Sequence, residues 1–276
     1  MAKDKKKQKK SSMSMADMAD RHILYQESVQ DVEGEIDFVE QTFEEIRNRP
    51  MKILREDFCG TMNTSCEWIR RGDDHEAVCV DNDEEVLAWG RSNNIGALKE
   101  QQQARLDVHC DDVFEVSTKP VDAVLAMNFS YFIFEERTKL REYFKRVREA
   151  LTDDGILFLD IFGGYEAYQE LEEPRECDGF DYIWDQADFD PMSGHMVCHI
   201  HFEFEDGSRM ENAFTYEWRL WSLPEIRELL DEAGYSKVTV YLEGDDEDTG
   251  EGNGIFEPAT RADADAGFLG YLVAEK

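Results

Sequence analysis

The feature that most constrains this chain is an alternation running from residue 51 to residue 162. Short apolar runs at 51–54, "EAVCVD" (76–81), "LDVHCDDV" (106–113), "VDAVLAMN" (121–128) and "ILFLDIF" (156–162) are separated by segments of helical character. The separators are 63–71, stopped by Gly72, then "DEEVLAWGRSNN" (83–94) and "EERTKLREYFKRVREAL" (135–151). In the last of these, Leu140, Phe144, Val147 and Leu151 fall on one stripe of a helix. Runs that are apolar throughout and too short for buried helices read as strands covered on both faces. The alternation therefore predicts an α/β chain built on a mostly parallel sheet with helices on both sides. Hydrophobic residues make up 41% of the 276, enough to fill such a core.

The flanks have other periods. Residues 17–48 read as helical, with Ile36, Val39, Phe43 and Ile46 at spacings of three and four until Pro50. After residue 162 come "FDYIWDQADF", "HMVCHIHFEFE" and "MENAFTYEWRLW", with turn signals at Asp190–Gly194 and Glu205–Ser208. These predict an antiparallel insertion over 163–221, placed as a flap over the sheet edge. Ser222, Pro224 and Gly234 bracket a further helix. Strands are expected at 237–243 and 266–274, with an acidic turn-rich loop at 244–254 between them. Residues 1–16 are expected to be a disordered Lys-rich tail, and 17–276 one domain carrying the flap.

Charge narrows the partners. The net charge is −33, yet the first ten residues hold six Lys against one Asp. The rest carries 24 basic and 62 acidic residues. Such a body repels phosphate backbones and anionic membranes, so a nucleic-acid partner is disfavoured and a small neutral or cationic molecule fits better. A surface this acidic also suits a saline medium. No run approaches the ~18 apolar residues of a membrane span, and "SSMSMADM" is too short and polar for a signal-peptide core. The six cysteines form no CxxC pair, which points to reduced thiols and a cytoplasmic setting.

The ends of the apolar runs carry polar residues. The first strand runs into a turn with Gly60 and then a helix, which aims backbone N–H groups at a ligand. The second ends on Asp81, 21 residues after Gly60, where a carboxylate can grip a ribose diol. The third ends at Asp111-Asp112, where a carboxylate can accept from an adenine amino group, and the fourth at Asn128-Phe129-Ser130-Tyr131. Ligands of open α/β sheets lie beyond the carboxyl ends of the strands, so the shared position of these groups marks one site.

In this order "ILREDFCGTMNTSCEWI", "AVCVDND", "CDDVFEV", "VDAVLAMNFSYFIF" and "ALTDDGILFLDIF" resemble the S-adenosylmethionine-dependent methyltransferases of the Rossmann-like class. The resemblance covers about residues 50–162. It implies a seven-stranded sheet, mostly parallel with a C-terminal antiparallel hairpin, and S-adenosylmethionine as cofactor. The first motif of that class carries an acid and then Gly-x-Gly-x-Gly. Here Glu56 takes the acid's place and Gly60 the middle glycine, while Phe58 and Met62 replace the outer two. The resemblance implies that Glu56, Phe58, Cys59, Gly60 and Thr61 hold the methionyl part. It assigns the ribose to Asp81 with Asn82, and adenine to Asp112 and Val113. Asn128 and Phe129 would border the sulfonium and the acceptor. Arg21 and Tyr25 would close over the cofactor.

Three residues are candidates for the transfer itself. Asn128 and Tyr131 hold the outer positions of "NFSY", a segment comparable with the amine-presenting motif of amino-methylating enzymes, but without its two prolines. His199 shares a strand face with His201 and can serve as a base; no third ligand follows at a metal-site spacing, so no metal is expected. Tyr182, Trp184, Tyr216, Trp218 and Trp221 offer aromatic packing or a wall for a small cation. The expected function is methyl transfer to a small-molecule acceptor. A non-catalytic cofactor-binding or interaction protein, and a nucleic-acid methyltransferase steered by the Lys tail, are the alternatives.

Overall fold

A computed structural model describes residues 13–245 and 252–276. Three helices lead in: α1 (Met15–Met18), α2 (Arg21–Ser28) and α3 (Val32–Arg47). The central sheet is then built by β1 (Ile53–Asp57), α4 (Asn63–Arg71), β2 (Glu76–Asp81), α5 (Glu84–Asn93), α6 (Glu100–Gln103), β3 (Leu106–Cys110), β4 (Val121–Ala126), α7 (Arg137–Ala150) and β5 (Leu151–Gly163). A second unit follows, β6 (Leu171–Cys177), β7 (Phe180–Phe189), β8 (His195–Phe204) and β9 (Arg209–Arg219). The chain closes with α8 (Leu223–Ala233), β10 (Lys237–Asp245), β11 (Gly252–Ala259) and β12 (Phe268–Glu275).

The large sheet has the order β3-β2-β1-β4-β5-β12-β10-β11. β1 to β5 pair in parallel, and β12, β10 and β11 are antiparallel additions. Strand order reverses between β1 and β4, which opens a crevice at their carboxyl ends. The surroundings of β4 explain why its sequence is apolar except for Asp122. Val124 and Ala126 enter the core under α7 and α8, whereas Ala123 and Leu125 enter the core under α3, α4 and α5. The four strands β6 to β9 form a separate antiparallel sheet. Its apolar face, Phe180, Ile200, Phe202 and Phe204, packs on Leu24 and Tyr25 of α2.

Several expectations change. The sheet has eight strands rather than seven, because Gly252–Ala259 pairs with β10 along its outer edge. That strand is almost wholly exposed, so it leaves no apolar alternation to read. Of the expected acidic loop, residues 246–251 lie outside the described residues. The lead-in is three helices, because Asp20 and Asp31 each turn a carboxylate onto the next helix and cap it. Residues 1–12 of the expected tail lie outside the described residues, but its end is built in. Ser14 caps α1, and the Met15 and Ala16 N–H groups donate to Asp206 and Ser208 at the β8–β9 turn. The insertion has four strands rather than three; β6 leaves no signal because it is an exposed edge strand containing Pro174.

Candidate active site

The turn after β1 keeps an unusual backbone without the usual residues. Phe58, Gly60 and Met62 have φ of 57°, 49° and 59°. These are the three positions that glycine fills in the methyltransferase motif. Left-handed backbone costs a side-chain-bearing residue about 1–2 kcal/mol, and packing offsets it here. The Phe58 ring lies 5.7 Å from Tyr143 and 5.9 Å from Phe134, and Met62 is fully buried. Met62 therefore fills core rather than the crevice, while the Phe58 ring forms part of the crevice wall.

Neighbouring groups fix this loop from all sides. Glu56 accepts from the N–H of Ser65 at 3.0 Å and from its hydroxyl, which ties β1 to the first turn of α4. Asp81 Oδ2 accepts from the Gly60 N–H at 2.8 Å, and its Oδ1 from the Asp83 N–H at 2.9 Å. Each oxygen keeps a further lone pair for a ligand. Asn94 of the α5 end donates to Thr61 O at 2.8 Å. Gly90 lets α5 come this close, since a Cβ there would stand 2.4 Å from the same carbonyl.

The turn after β4 is held by a residue outside the set singled out in the sequence. Asn128 and Phe129 both have φ of 56°. Their N–H groups donate to Asp160 Oδ2 at 2.6 Å and Oδ1 at 2.9 Å. Asp160 is buried in the middle of β5, and burial pushes its carboxyl up to about 7. The signal was present as the lone acid in "ILFLDIF". An ionised carboxylate inside an apolar strand needs donors, and the adjacent strand end supplies two.

α2 lies across the crevice. Gln26 donates to Thr61 Oγ1 at 2.8 Å, and Trp89 of α5 donates to Asp20 at 2.8 Å. Tyr25 packs at 4.9 Å on Phe214, and it lines the crevice together with Tyr216 of β9. Arg21 sits over the Phe214 ring and donates to Ala213 O. Two connected spaces result. One, of about 300 Å³, runs from Asp81 and Gly60 past Glu56 to Asn128. The other, of about 230 Å³, is walled by aromatic rings including Phe129, Phe162, Tyr182 and Trp184. Tyr25, Asn128, Tyr216 and Trp218 line both, so they mark the junction.

The charge of the first space identifies its guest. Glu56, Asp57, Asp81 and Asp83 line it, and among the described residues no Lys or Arg does. Asp57 is neutralised by Arg55 at 2.7 Å and accepts from Tyr143 at 2.9 Å. Glu56 has no cation, and burial raises its carboxyl to about 7. Glu35 of α3 adds to this field. Its carboxyl meets buried Thr64 at 3.4 Å and is pushed up to about 8, first by burial and then by Asp160 and Glu56. Burial and Arg21 hold His22 below its ordinary value, so it adds no positive charge. A pyrophosphate would be repelled from such a space, and a cationic ligand drawn into it. A nucleoside carrying a sulfonium and an ammonium group fits these acceptors and charges.

Of the residues singled out in the sequence, Glu56, Phe58, Cys59, Gly60, Thr61, Asp81 and Asn128 line the first space, and Phe129 lines the second. Asn82, Asp112 and Val113 lie outside both linings. The Asp112 carboxylate is used locally, accepting from the Phe114 N–H at 2.9 Å. Two catalytic candidates are corrected. Tyr131 is fully buried and donates to Asp160 O at 2.7 Å, so it braces β5 and reaches no ligand. His199 faces away from both spaces and pairs with Thr215 at 2.9 Å, because alternation sends Cys198 and Ile200 inward instead. Glu172, Asp185 and His201 are the one metal-like cluster among the described residues. His201 Nδ1 lies 2.8 Å from the Asn212 nitrogen and 3.2 Å from Glu211 Oε2, and Nε2 lies 3.2 Å from Asp185 Oδ2.

No family profile matches the sequence, and no curated protein is similar to it. Solved structures do match. A S-adenosylmethionine-dependent methyltransferase from Clostridium acetobutylicum is 17% identical, with a TM-score of 0.65 over 92% of this chain and 96% of that one. A S-adenosylmethionine-bound amino pentose methyltransferase of calicheamicin biosynthesis from Micromonospora echinaspora is 14% identical, with a TM-score of 0.64 over 92% and 95%. A sugar N-methyltransferase from a Streptoalloteichus species is 15% identical, with a TM-score of 0.62 over 100% and 98%. The architecture of this chain, from the lead-in helices through the sheet to the inserted β unit, is thus that of the Rossmann-like S-adenosylmethionine-dependent methyltransferases.

Proposed function

We propose that this protein is a S-adenosylmethionine-dependent methyltransferase that methylates a nitrogen of a small-molecule amine. One observation carries the reading: among the described residues, an acidic space lined by no Lys or Arg and by a His22 held below its ordinary value opens at Asn128 into an aromatic space whose only titratable side chains are tyrosines. The fold shared with an amino pentose methyltransferase and a sugar N-methyltransferase supports it.

S-adenosylmethionine supplies, when bound, a methyl carbon on a cationic sulfur that leaves as a neutral thioether. The acids of the first space would favour that cation and orient it, with Asp81 on the ribose and Glu56 near the methionyl end. Asn128 stands where the two spaces meet, fixed to within hydrogen-bond geometry by Asp160. Fixed approach of nucleophile and methyl carbon is the main contribution such a site makes, worth about 7–11 kcal/mol.

The aromatic space selects the nucleophile. Its titratable side chains are Tyr25, Tyr182 and Tyr216, and burial raises all three hydroxyls, so none serves as a base near neutral pH. A hydroxyl acceptor would find no base within the aromatic space to take its proton as it attacks. A neutral amine attacks with its own lone pair and releases a proton to solvent afterwards. Positive charge then moves from sulfur to nitrogen, where the faces of Trp184, Tyr216 and Trp218 stabilise it.

The test pairs amines with alcohols of the same carbon skeleton and follows S-adenosylhomocysteine formation. Turnover with the amines, rising with pH as the free base is populated, and none with the alcohols is expected. Turnover with alcohols alone would overturn the nitrogen assignment.

A further inference from the structure

A third space lies behind the aromatic one. It measures about 190 Å³ and is bounded by the end of β5, the β9–α8 junction and the start of β12. Phe162 is common to its lining and to that of the aromatic space, so one ring forms the wall between them. The lining is apolar, with Leu220, Trp221, Leu223, Leu242 and Phe268 as its main surfaces, and no charged side chain among the described residues contributes. Its Ser222 hydroxyl is already committed to Glu225 at 2.7 Å. The backbone leaves this room through Gly163 and Gly164. A Cβ at the first would stand 2.5 Å from Phe268 Cζ, and one at the second 2.3 Å from Ala266 O. The Phe162 ring is itself braced at 4.7 Å by Phe129, next to Asn128 at the junction with the cofactor space.

We infer that the acceptor is an amine bearing an apolar arm, with its nitrogen in the aromatic space against Asn128 and its arm passing Phe162 into this third space. The inference rests on the amine reading above. It makes Phe162 a specificity-determining residue that sets how far the arm extends. Adjacency to the acceptor space, with only the Phe162 ring between, favours an arm of the acceptor itself over a separate ligand. With no charged side chain among the described lining residues, the space disfavours a carboxylate or ammonium arm.

The experiment uses the full chain and straight-chain primary amines from ethylamine to octylamine, titrated in the presence of S-adenosylhomocysteine and followed by the indole N–H resonances of the tryptophans. Trp184 and Trp218 wall the aromatic space, and Trp221 walls the third. The Trp221 Nε1–H is buried without a hydrogen-bond partner, so nothing else ties its resonance. Short members are expected to shift Trp184 and Trp218 only. Beyond a threshold length Trp221 shifts as well, and affinity rises roughly fourfold per added methylene. In Leu223→Trp, which narrows the third space, that rise should stop at the threshold length. Phe162→Ala should let shorter members reach Trp221. Short amines that shift none of the three resonances would remove the amine reading itself. Short amines that shift Trp184 and Trp218, followed by long ones that gain no affinity and leave Trp221 unmoved, would overturn the arm alone. The wild-type series decides this even where a variant fails to fold.

Discussion

Replacing Asp160 by Asn is expected to stabilise the cofactor-free protein at pH 8 while weakening its site. Both oxygens of Asp160 accept backbone N–H groups, at 2.6 and 2.9 Å, so the ionised form is the one that shapes the turn at Asn128. That charge is buried at 7% exposure with no cation beside it, and burial lifts its carboxyl from 3.8 to about 7. The folded value lies above the unfolded one, so the native state binds the proton more tightly. Stability from this group is full below the unfolded value and is lost as pH rises toward 7. Roughly three pH units at ~1.36 kcal/mol each set a ceiling of about 4 kcal/mol on the loss at pH 8. Asn is neutral throughout and escapes it. Its amide nitrogen, however, faces one of the two N–H donors, at a cost of about 1–3 kcal/mol. The net gain at pH 8 is therefore about 2 kcal/mol, shrinking to nothing or a small loss at pH 5. Urea unfolding of both proteins at the two pH values measures it directly. Calorimetry with S-adenosylmethionine at pH 8 should show at least tenfold weaker binding to the variant. A variant less stable than wild type by the same margin at pH 5 and pH 8 would refute the idea of a strained, functional charge.

Other consequences follow from the same geometry. Because Glu35, Glu56 and Asp160 are held up to about 8, 7 and 7, a bound cation should favour their ionised forms. Cofactor affinity is then expected to rise from pH 6 to pH 8 with release of protons, read by calorimetry in buffers of different ionisation enthalpy. Gly90→Ala gains about 1 kcal/mol of helix propensity. Its Cβ would nonetheless meet Thr61 O at 2.4 Å, so the loop must move and cofactor affinity should fall tenfold or more. Phe58→Gly keeps the backbone at φ 57°, so its loss should appear mainly as lowered thermal stability, with binding within a fewfold of wild type by calorimetry. With a net charge of −33, self-repulsion should make the melting temperature rise with added salt.

The parallel core was legible because strands such as β4 are apolar on both faces, a pattern that few arrangements besides a covered parallel sheet produce. The strand-end residues were legible for the same reason, since sheet topology dictates where strands end. What escaped depended on long-range pairing. Asp160 looked like an isolated acid until β4 was placed beside it, and its partners are backbone groups that leave no mark in sequence. Tyr131 and His199 were misplaced because a residue type at a strand end or on a strand does not reveal which way it faces. β11 and β6 escaped because exposed edge strands carry no apolar period. Phe58 and Met62 stand where the motif has its outer glycines, and the sequence alone leaves the path of that loop open. In the fold, the left-handed backbone survives at Phe58 and Met62, held by aromatic contacts and core burial.

The proposed reaction is transfer of a methyl group to nitrogen at the Asn128 junction. Its most direct test is incubation of the full chain with S-adenosylmethionine labelled with ¹³C in its methyl group and an apolar primary amine such as hexylamine, followed by NMR and mass spectrometry of the products. The expected result is a labelled N-methylamine in equal amount to S-adenosylhomocysteine, sharply reduced in Asp81→Ala and Trp184→Ala. Tight cofactor binding with the label left on S-adenosylmethionine, across amines of every length, would contradict it.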